Sequence, residues 1–201
     1  MNILYFDIET LPADKNKHVM LAEIHQKKID DGKQVKELDL FIAETSFDGA
    51  FGRIACISYA INDGQIQIIC GTEKEMLQQF WDIAKTIELF VGFNIIDFDM
   101  RFIYQRSIIN EVKPTRDLTF ARYRNNPMYD LMKEWAKWDQ YAKISLDSLA
   151  KALNIPSSKG GAMEGKDVAK AYEDGRIKEI CEYCKKDVEV TRNIYKKMTF
   201  T

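Results

Sequence analysis

The chain has 201 residues, 46% hydrophobic and 30% charged, the balance of one ordinary globular domain, which excludes a disordered or collagenous polymer. Twenty-nine basic and 31 acidic residues leave a net charge of −2, so no overall basic field announces nucleic acid, though the sum is silent on local grooves. No run of about 18 apolar residues occurs that would span a bilayer, and the N-terminus carries acids where a signal peptide needs an apolar stretch, so a cytoplasmic protein with no membrane partner is expected.

Residues 2–8 are apolar on both faces and predict a central strand. Residues 13–45 are polar and Lys-rich and read as an inserted arm, with a helix near 18–29 and a turn at Asp31-Gly32. β-Branched and aromatic residues predict strands over 53–61 and 65–70, joined by the hairpin Asn62-Asp63-Gly64. Thr72-Glu-Lys-Glu75 is a capping-box pattern opening a helix to about Lys85. A strand over 88–93, a helix over 97–107 and a short strand over 128–132 follow. Ser145 opens a helix that ends before Pro156; then come a loop over 157–165, a helix over 166–172, a stop at Gly175 and a long helix over 176–198. An early hairpin followed by β-α units predicts an α/β fold, a mixed sheet of about five strands flanked by helices, in a single domain spanning 1–201.

The informative residues are acids in apolar surroundings. Asp7 and Glu9 are two apart on a strand, so both point to one sheet face, about 6–7 Å apart. Buried carboxylates that repel each other need a cation, either Lys/Arg or a divalent metal, unless the strand end dips into solvent. Asp99 falls in the first turn of its helix, where a negative charge is favoured for its own sake, but that does not account for Asn94 and Phe98 beside it. In the last helix Tyr183 and Asp187 share one face, and Asp187 sits within the apolar stripe of Ile180, Cys184, Thr191, Ile194 and Met198.

Taken singly these patterns are weak; Tyr-x3-Asp also occurs at Tyr59/Asp63, for example. In their order the chain resembles the DEDDy 3′–5′ exonuclease superfamily, and within it the proofreading exonuclease domain of B-family DNA polymerases and its stand-alone relatives. Asp-x-Glu stands at Asp7/Glu9, Asn-x3-Phe-Asp at Asn94/Phe98/Asp99, and Tyr-x3-Asp at Tyr183/Asp187. The likeness extends to the segments at 47–58, 129–132 and 145–150 and leaves out the arm.

The resemblance implies a ribonuclease H-like fold and a metal-dependent 3′–5′ exonuclease acting on the 3′ end of nucleic acid, with single-stranded DNA the first expectation. It implies two Mg²⁺ or Mn²⁺ ions held by Asp7, Glu9, Asp99 and Asp187, of which Asp7 bridges both. Tyr183 is expected to orient the attacking water. Thr10, Leu11, Asn94 and Phe98 are expected at the substrate, and Glu9 at the terminal 3′ hydroxyl. Carboxylates suit such ions because hard cations take oxygen ligands, and two of them can clamp both oxygens of a phosphodiester displacement. No polymerase region follows, so a stand-alone nuclease is expected. The competing readings are an RNA-trimming nuclease and a non-catalytic nucleic-acid-binding module on the same fold.

Four features imitate other chemistry. Gly160-Gly-Ala-Met-Glu-Gly165-Lys166 nearly spells a phosphate-binding loop, but Asp167 follows where Ser or Thr is needed. Cys181-Glu-Tyr-Cys184 resembles a zinc or redox pair, yet Cys56 and Cys70 are not spaced to complete it, so free core thiols are expected. His18 and His25 lie in the arm and read as solvated surface. Trp135, Trp138 and Tyr141 interleave with Lys133, Lys137 and Lys143, which suits base stacking and core packing equally.

Overall fold

The computed structural model describes residues 1–157 and 163–201. Five strands, β1 (Ile3–Leu11), β2 (Arg53–Ile61), β3 (Gln67–Ile69), β4 (Leu89–Gly92) and β5 (Met128–Asp130), form one sheet in the order β3-β2-β1-β4-β5. β1 is central, as its two-sided apolar pattern requires; it pairs antiparallel with β2 and parallel with β4, and β4 runs parallel to β5. Helices flank this mixed sheet, as expected. Among the described residues, no helix is long and apolar enough to cross a membrane.

The period-two alternation of β1 divides the core. Leu4, Phe6 and Ile8 pack beneath α3 (Glu73–Ala84) and α4 (Asp99–Ile109), with Phe80, Trp81, Met100 and Phe102. Tyr5 and Leu11 point to the opposite face, which α8 (Ile177–Thr199) covers with Ile180, Cys184, Val188 and Ile194. Asp7 and Glu9 share that second face. Glu9 pairs with Cys56 but Thr10 with Ile54, so Ala55 is an extra residue and the strands carry a bulge at the end of the acidic segment.

Several boundaries differ from the sequence expectation, each for a local reason. The strand expected over 128–132 stops at Asp130, whose carboxylate accepts the Met132 and Lys133 N–H groups and turns the chain into α5 (Leu131–Trp135). The helix expected over 166–172 begins as a 3-10 turn and becomes α7 (Val168–Glu173). α3 carries the predicted reciprocal cap between Thr72 and Glu75, and α6 (Leu146–Ala152) starts on the Ser145 hydroxyl. The loop at 157–165, with most of the phosphate-loop imitation, lies largely outside the described residues.

The segment 13–45 folds as α1 (His18–Asp30) and α2 (Leu38–Ala43) joined by turns. Its neck is tied to the sheet: Ala13 N–H donates to Thr45 Oγ1 at 2.8 Å, and the Thr10 hydroxyl donates to Ser46 O at 2.7 Å. His18 and His25 are half-buried rather than bare surface residues. Their ring nitrogens lie 3.3 Å from Ala13 O and 2.8 Å from Lys36 O, and the His25 ring packs on Phe41. Trp138 packs on the core with its N–H 3.2 Å from Glu134 Oε1, while Trp135 and Tyr141 are exposed.

Candidate active site

The site forms where the parallel part of the sheet ends. β4 pairs with β1 only from Ile3 to Tyr5, so the Ile8 N–H on that side of β1 has no strand partner. Asp99, the first residue of α4, supplies one: its Oδ1 accepts from Ile8 N–H at 3.2 Å, and the side chain is 3% exposed. That seats Asp99 against the backbone between Asp7 and Glu9. The crossing is tight, because a Cβ on Gly92 would meet the Ile95 side chain at 2.1 Å. Asn94 takes a left-handed φ of 63°, a conformation Asn tolerates better than most residues.

Asp130 holds this crossing in place. Its oxygens accept from Asn94 N–H at 3.0 Å and Ile96 N–H at 3.1 Å, in addition to the two amides at the start of α5. Asp130 lies within the likeness segment 129–132, and an acid at the end of an apolar strand one residue before a helix is the sequence sign of this role. Burial raises its pKa against the lowering pull of those hydrogen bonds.

α8 delivers the remaining groups from the other side. Asp187 is 8% exposed, and Tyr183 sits one turn earlier on the same helix face, close enough for the carboxylate to raise the phenol's pKa. Cys184 lies between them on the buried face; its Sγ donates toward Asp7 Oδ2 at 3.4 Å and Asp7 O at 3.5 Å. Ligand atoms of Asp7, Glu9 and Cys184 all lie within 4.8 Å of one another. Cys184, expected as a core thiol, is buried but also borders the acids.

The electrostatics of the cluster run one way. Burial, followed by Cys184, Asp99, Asp187 and Glu9, raises Asp7 well above the ordinary carboxylate range. Glu9, 9% exposed, is raised by burial, Cys184, Asp187 and Asp99. Burial lifts Asp99 to about 7, against the Ile8 amide that pulls it down. Tyr183 is raised above its ordinary value by burial, Asp187, Glu9 and Asp7. Among the described residues, neither Asp7 nor Glu9 has an ion-pair partner. The buried Ser58 hydroxyl, directly across from Asp7 on β2, also has no hydrogen-bond partner among them. Two hard oxygen donors, Asp7 and Glu9, converge beside the Cys184 thiol and across from an orphaned hydroxyl, which fits a divalent cation and its water better than a side-chain counter-ion; Asp99 and Asp187 border this set without belonging to it.

Of the residues expected at the substrate, Asn94 and Phe98 are partly buried at the crossing, and Thr10 follows Glu9 on β1. Leu11 is 2% exposed and packs among Ala55, Cys56 and Ile180, so its side chain serves chiefly the core. Phe47, which opens the likeness segment 47–58 with no role assigned to it there, is 73% exposed with its ring 6.2 Å from that of Phe98. A cleft next to Asn94 is lined by Lys133 and Lys143 with Asp97 and Gln140; Lys133 lies 2.5 Å from Asp97.

Residues 50–201 match a family described as "Predicted 3′-5′ exonuclease related to the exonuclease domain of PolB". The matched span contains Asn94, Phe98, Asp99, Tyr183 and Asp187; Asp7 and Glu9 precede it, and the sheet brings them to it. An uncharacterized protein of Methanocaldococcus jannaschii is 27% identical over 158 residues, covering 72% of this chain and 84% of that protein. A family B DNA polymerase from the hyperthermophilic archaeon Pyrobaculum calidifontis shares the fold, with a TM-score of 0.69 and 16% identity over 99% of this chain. The chain spans 24% of that polymerase's length.

Proposed function

Because the chain belongs to the family of predicted 3′–5′ exonucleases related to the exonuclease domain of PolB, we propose that it is a divalent-metal-dependent hydrolase removing nucleotides from the 3′ ends of single-stranded DNA. One observation carries the reading. Asp7 and Glu9 converge in a half-buried to buried site with no ion pair among the described residues, an arrangement that a cation relieves and that a phosphate-binding module would suffer from.

Asp7, Glu9, Asp99 and Asp187 would hold two Mg²⁺ or Mn²⁺ ions. When bound, the ions supply charge for the attacking and leaving oxygens of the phosphodiester. The chain's own residues do the positioning. The Tyr183 phenol is protonated at neutral pH, and burial and the neighbouring acids push it further from ionising, so it orients water through its hydroxyl rather than acting as a base. Cys184 donates toward Asp7 and fixes that carboxylate's orientation. Asp99 is fixed by the Ile8 amide. Phe98 and the exposed Phe47 offer aromatic faces to terminal bases, Thr10 and Asn94 offer polar contacts, and Lys133 and Lys143 line a path for phosphates.

The test is a 5′-labelled single strand incubated with and without Mg²⁺ or Mn²⁺. A ladder of shortening products that chelator abolishes is expected, with no cuts in a circular single strand. Cleavage of the circle would overturn the exonuclease reading. Binding without turnover under any metal would favour a non-catalytic module, and a preference for an RNA strand would replace DNA as the substrate.

A further inference from the structure

The cysteines form a line rather than the local pair their spacing suggests. Exposed Cys70, just past the end of β3, places its Sγ 3.2 Å from the Sγ of half-buried Cys181 on α8. Buried Cys56 neighbours both Cys181 and buried Cys184, and the Cys184 Sγ donates toward Asp7. Among the described residues, no three of these sulfurs lie within 4.8 Å of one another, so they do not make the converging set a tetrahedral thiolate metal site needs. What they do make is one surface-accessible pair already closer than the sum of two sulfur radii.

We propose that Cys70 and Cys181 are a site of reversible disulfide formation by a peroxide-class oxidant, pinning the start of α8 to the edge of the sheet. Cys181 is the attacking sulfur. The neighbouring Cys56 thiol is the leading cause that lowers the Cys181 pKa to about 6, with Cys70 at 3.2 Å and Lys185 adding to it, so thiolate is available at neutral pH. The Cys181 thiolate takes one oxygen from the peroxide as its O–O bond breaks, giving a sulfenic acid and hydroxide. The Cys70 thiol then attacks that sulfur, the S–O bond breaks, and water leaves. Two thiols lose two electrons and two protons, and one hydrogen peroxide becomes two waters. A dithiol reductant reverses the step. Cys56 and Cys184 lie too deep to meet the oxidant first. The bridge would close a loop between residues separated by 111 positions, on the helix that carries Tyr183 and Asp187.

The experiment exposes the full chain to a small excess of hydrogen peroxide, alkylates the remaining thiols, and maps the peptides by mass spectrometry. A peptide pair joined through Cys70 and Cys181, about 2 Da lighter than the two free thiols and released by dithiothreitol, is expected. The oxidised protein should melt higher than the reduced one by on the order of 10 °C, since closing a long loop restricts the unfolded chain. Cys70→Ser changes an exposed residue, so it should fold normally and lose both the bridge and the shift. A bridge between Cys181 and Cys184 or Cys56, or full alkylation of Cys70 and Cys181 after oxidation, would overturn the proposal. So would a thermal shift that survives in Cys70→Ser.

Discussion

Asp7 and Tyr183 differ in what their removal takes away. Asp7 is held above its ordinary pKa by burial, Cys184 and the other acids, so at neutral pH its ionised form works against the metal-free fold. Asp7→Asn keeps the shape and removes the charge. It should lower turnover by about three or more orders of magnitude, yet raise the metal-free thermal midpoint near neutral pH. Melting curves in chelator check the second half; a lower midpoint in Asp7→Asn would mean that the carboxylate is stabilised by something other than added metal. Tyr183→Phe keeps the ring and the acids and deletes one hydroxyl. Loss of one hydrogen bond to a charged group is worth about 1.5–3 kcal/mol, roughly 10- to 150-fold in rate. Metal titrations of turnover should give the same half-saturation for Tyr183→Phe and wild type. A full-rate mutant would remove the phenol from the chemistry.

Each element around the site is placed by a specific link. α3 and α4 are locked by Glu73, whose oxygens accept from Arg106 Nη2 at 2.6 Å, Arg106 Nε at 2.9 Å, Asn110 Nδ2 at 2.9 Å and the Ile54 N–H at 2.9 Å. Arg106 is 4% exposed, so truncating its partner leaves a buried charge uncompensated. Glu73→Ala should therefore cost about 3–5 kcal/mol in chemical denaturation, against about 1 kcal/mol for Thr72→Ala, which removes only a helix cap. Comparable losses in the two variants would show that the ion pair is not integral to the α3–α4 contact. Because α4 carries Asp99 and Arg106 together, the Glu73 variant should also weaken metal-dependent turnover, whereas the cap variant should not.

For the whole molecule the titrations pull in opposite directions. Burial pushes Glu73 up, but Arg106, Ile54 and Asn110 outweigh it and hold its pKa below 4.5; its stabilisation is present above that value and is lost as pH falls. Asp7, Glu9 and Asp99 are raised. Their contribution is fully present below the unfolded carboxylate pKa and disappears as pH climbs through the folded values, which for Asp99 is about 7. The metal-free protein should thus lose stability from this cluster between about pH 4 and the neutral range. Metal needs the ionised carboxylates, so millimolar Mg²⁺ or Mn²⁺ should raise the thermal midpoint more near pH 8 than near pH 5.5. Scanning fluorimetry at both pH values checks this; a shift that is larger at the lower pH would contradict the carboxylate site.

The sequence by itself determined the elements whose signals are local. The two-sided apolar run of β1, the Thr72 capping box and the stripe of α8 each depend on neighbours within a turn or a strand, and each forms where expected; the hairpin at Asn62-Asp63-Gly64 forms too, but with its second strand shortened from 65–70 to Gln67–Ile69. The order of the acidic motifs also pointed to the family, because order is a property of the chain alone. Only the tertiary structure decided what meets across the sheet. The seat of Asp99 depends on where β4 stops, and the approach of Cys184 to Asp7 depends on how α8 lies over β1. Cys181 meets Cys70 rather than Cys184, because α8 crosses the end of β3 and no spacing rule encodes that crossing. Phe47 reaches Phe98 because the neck of the 13–45 segment is tied down at Thr10 and Thr45. Periodicity fixes which face of an element is buried; which residues of two distant elements touch is set by the packing of the whole core.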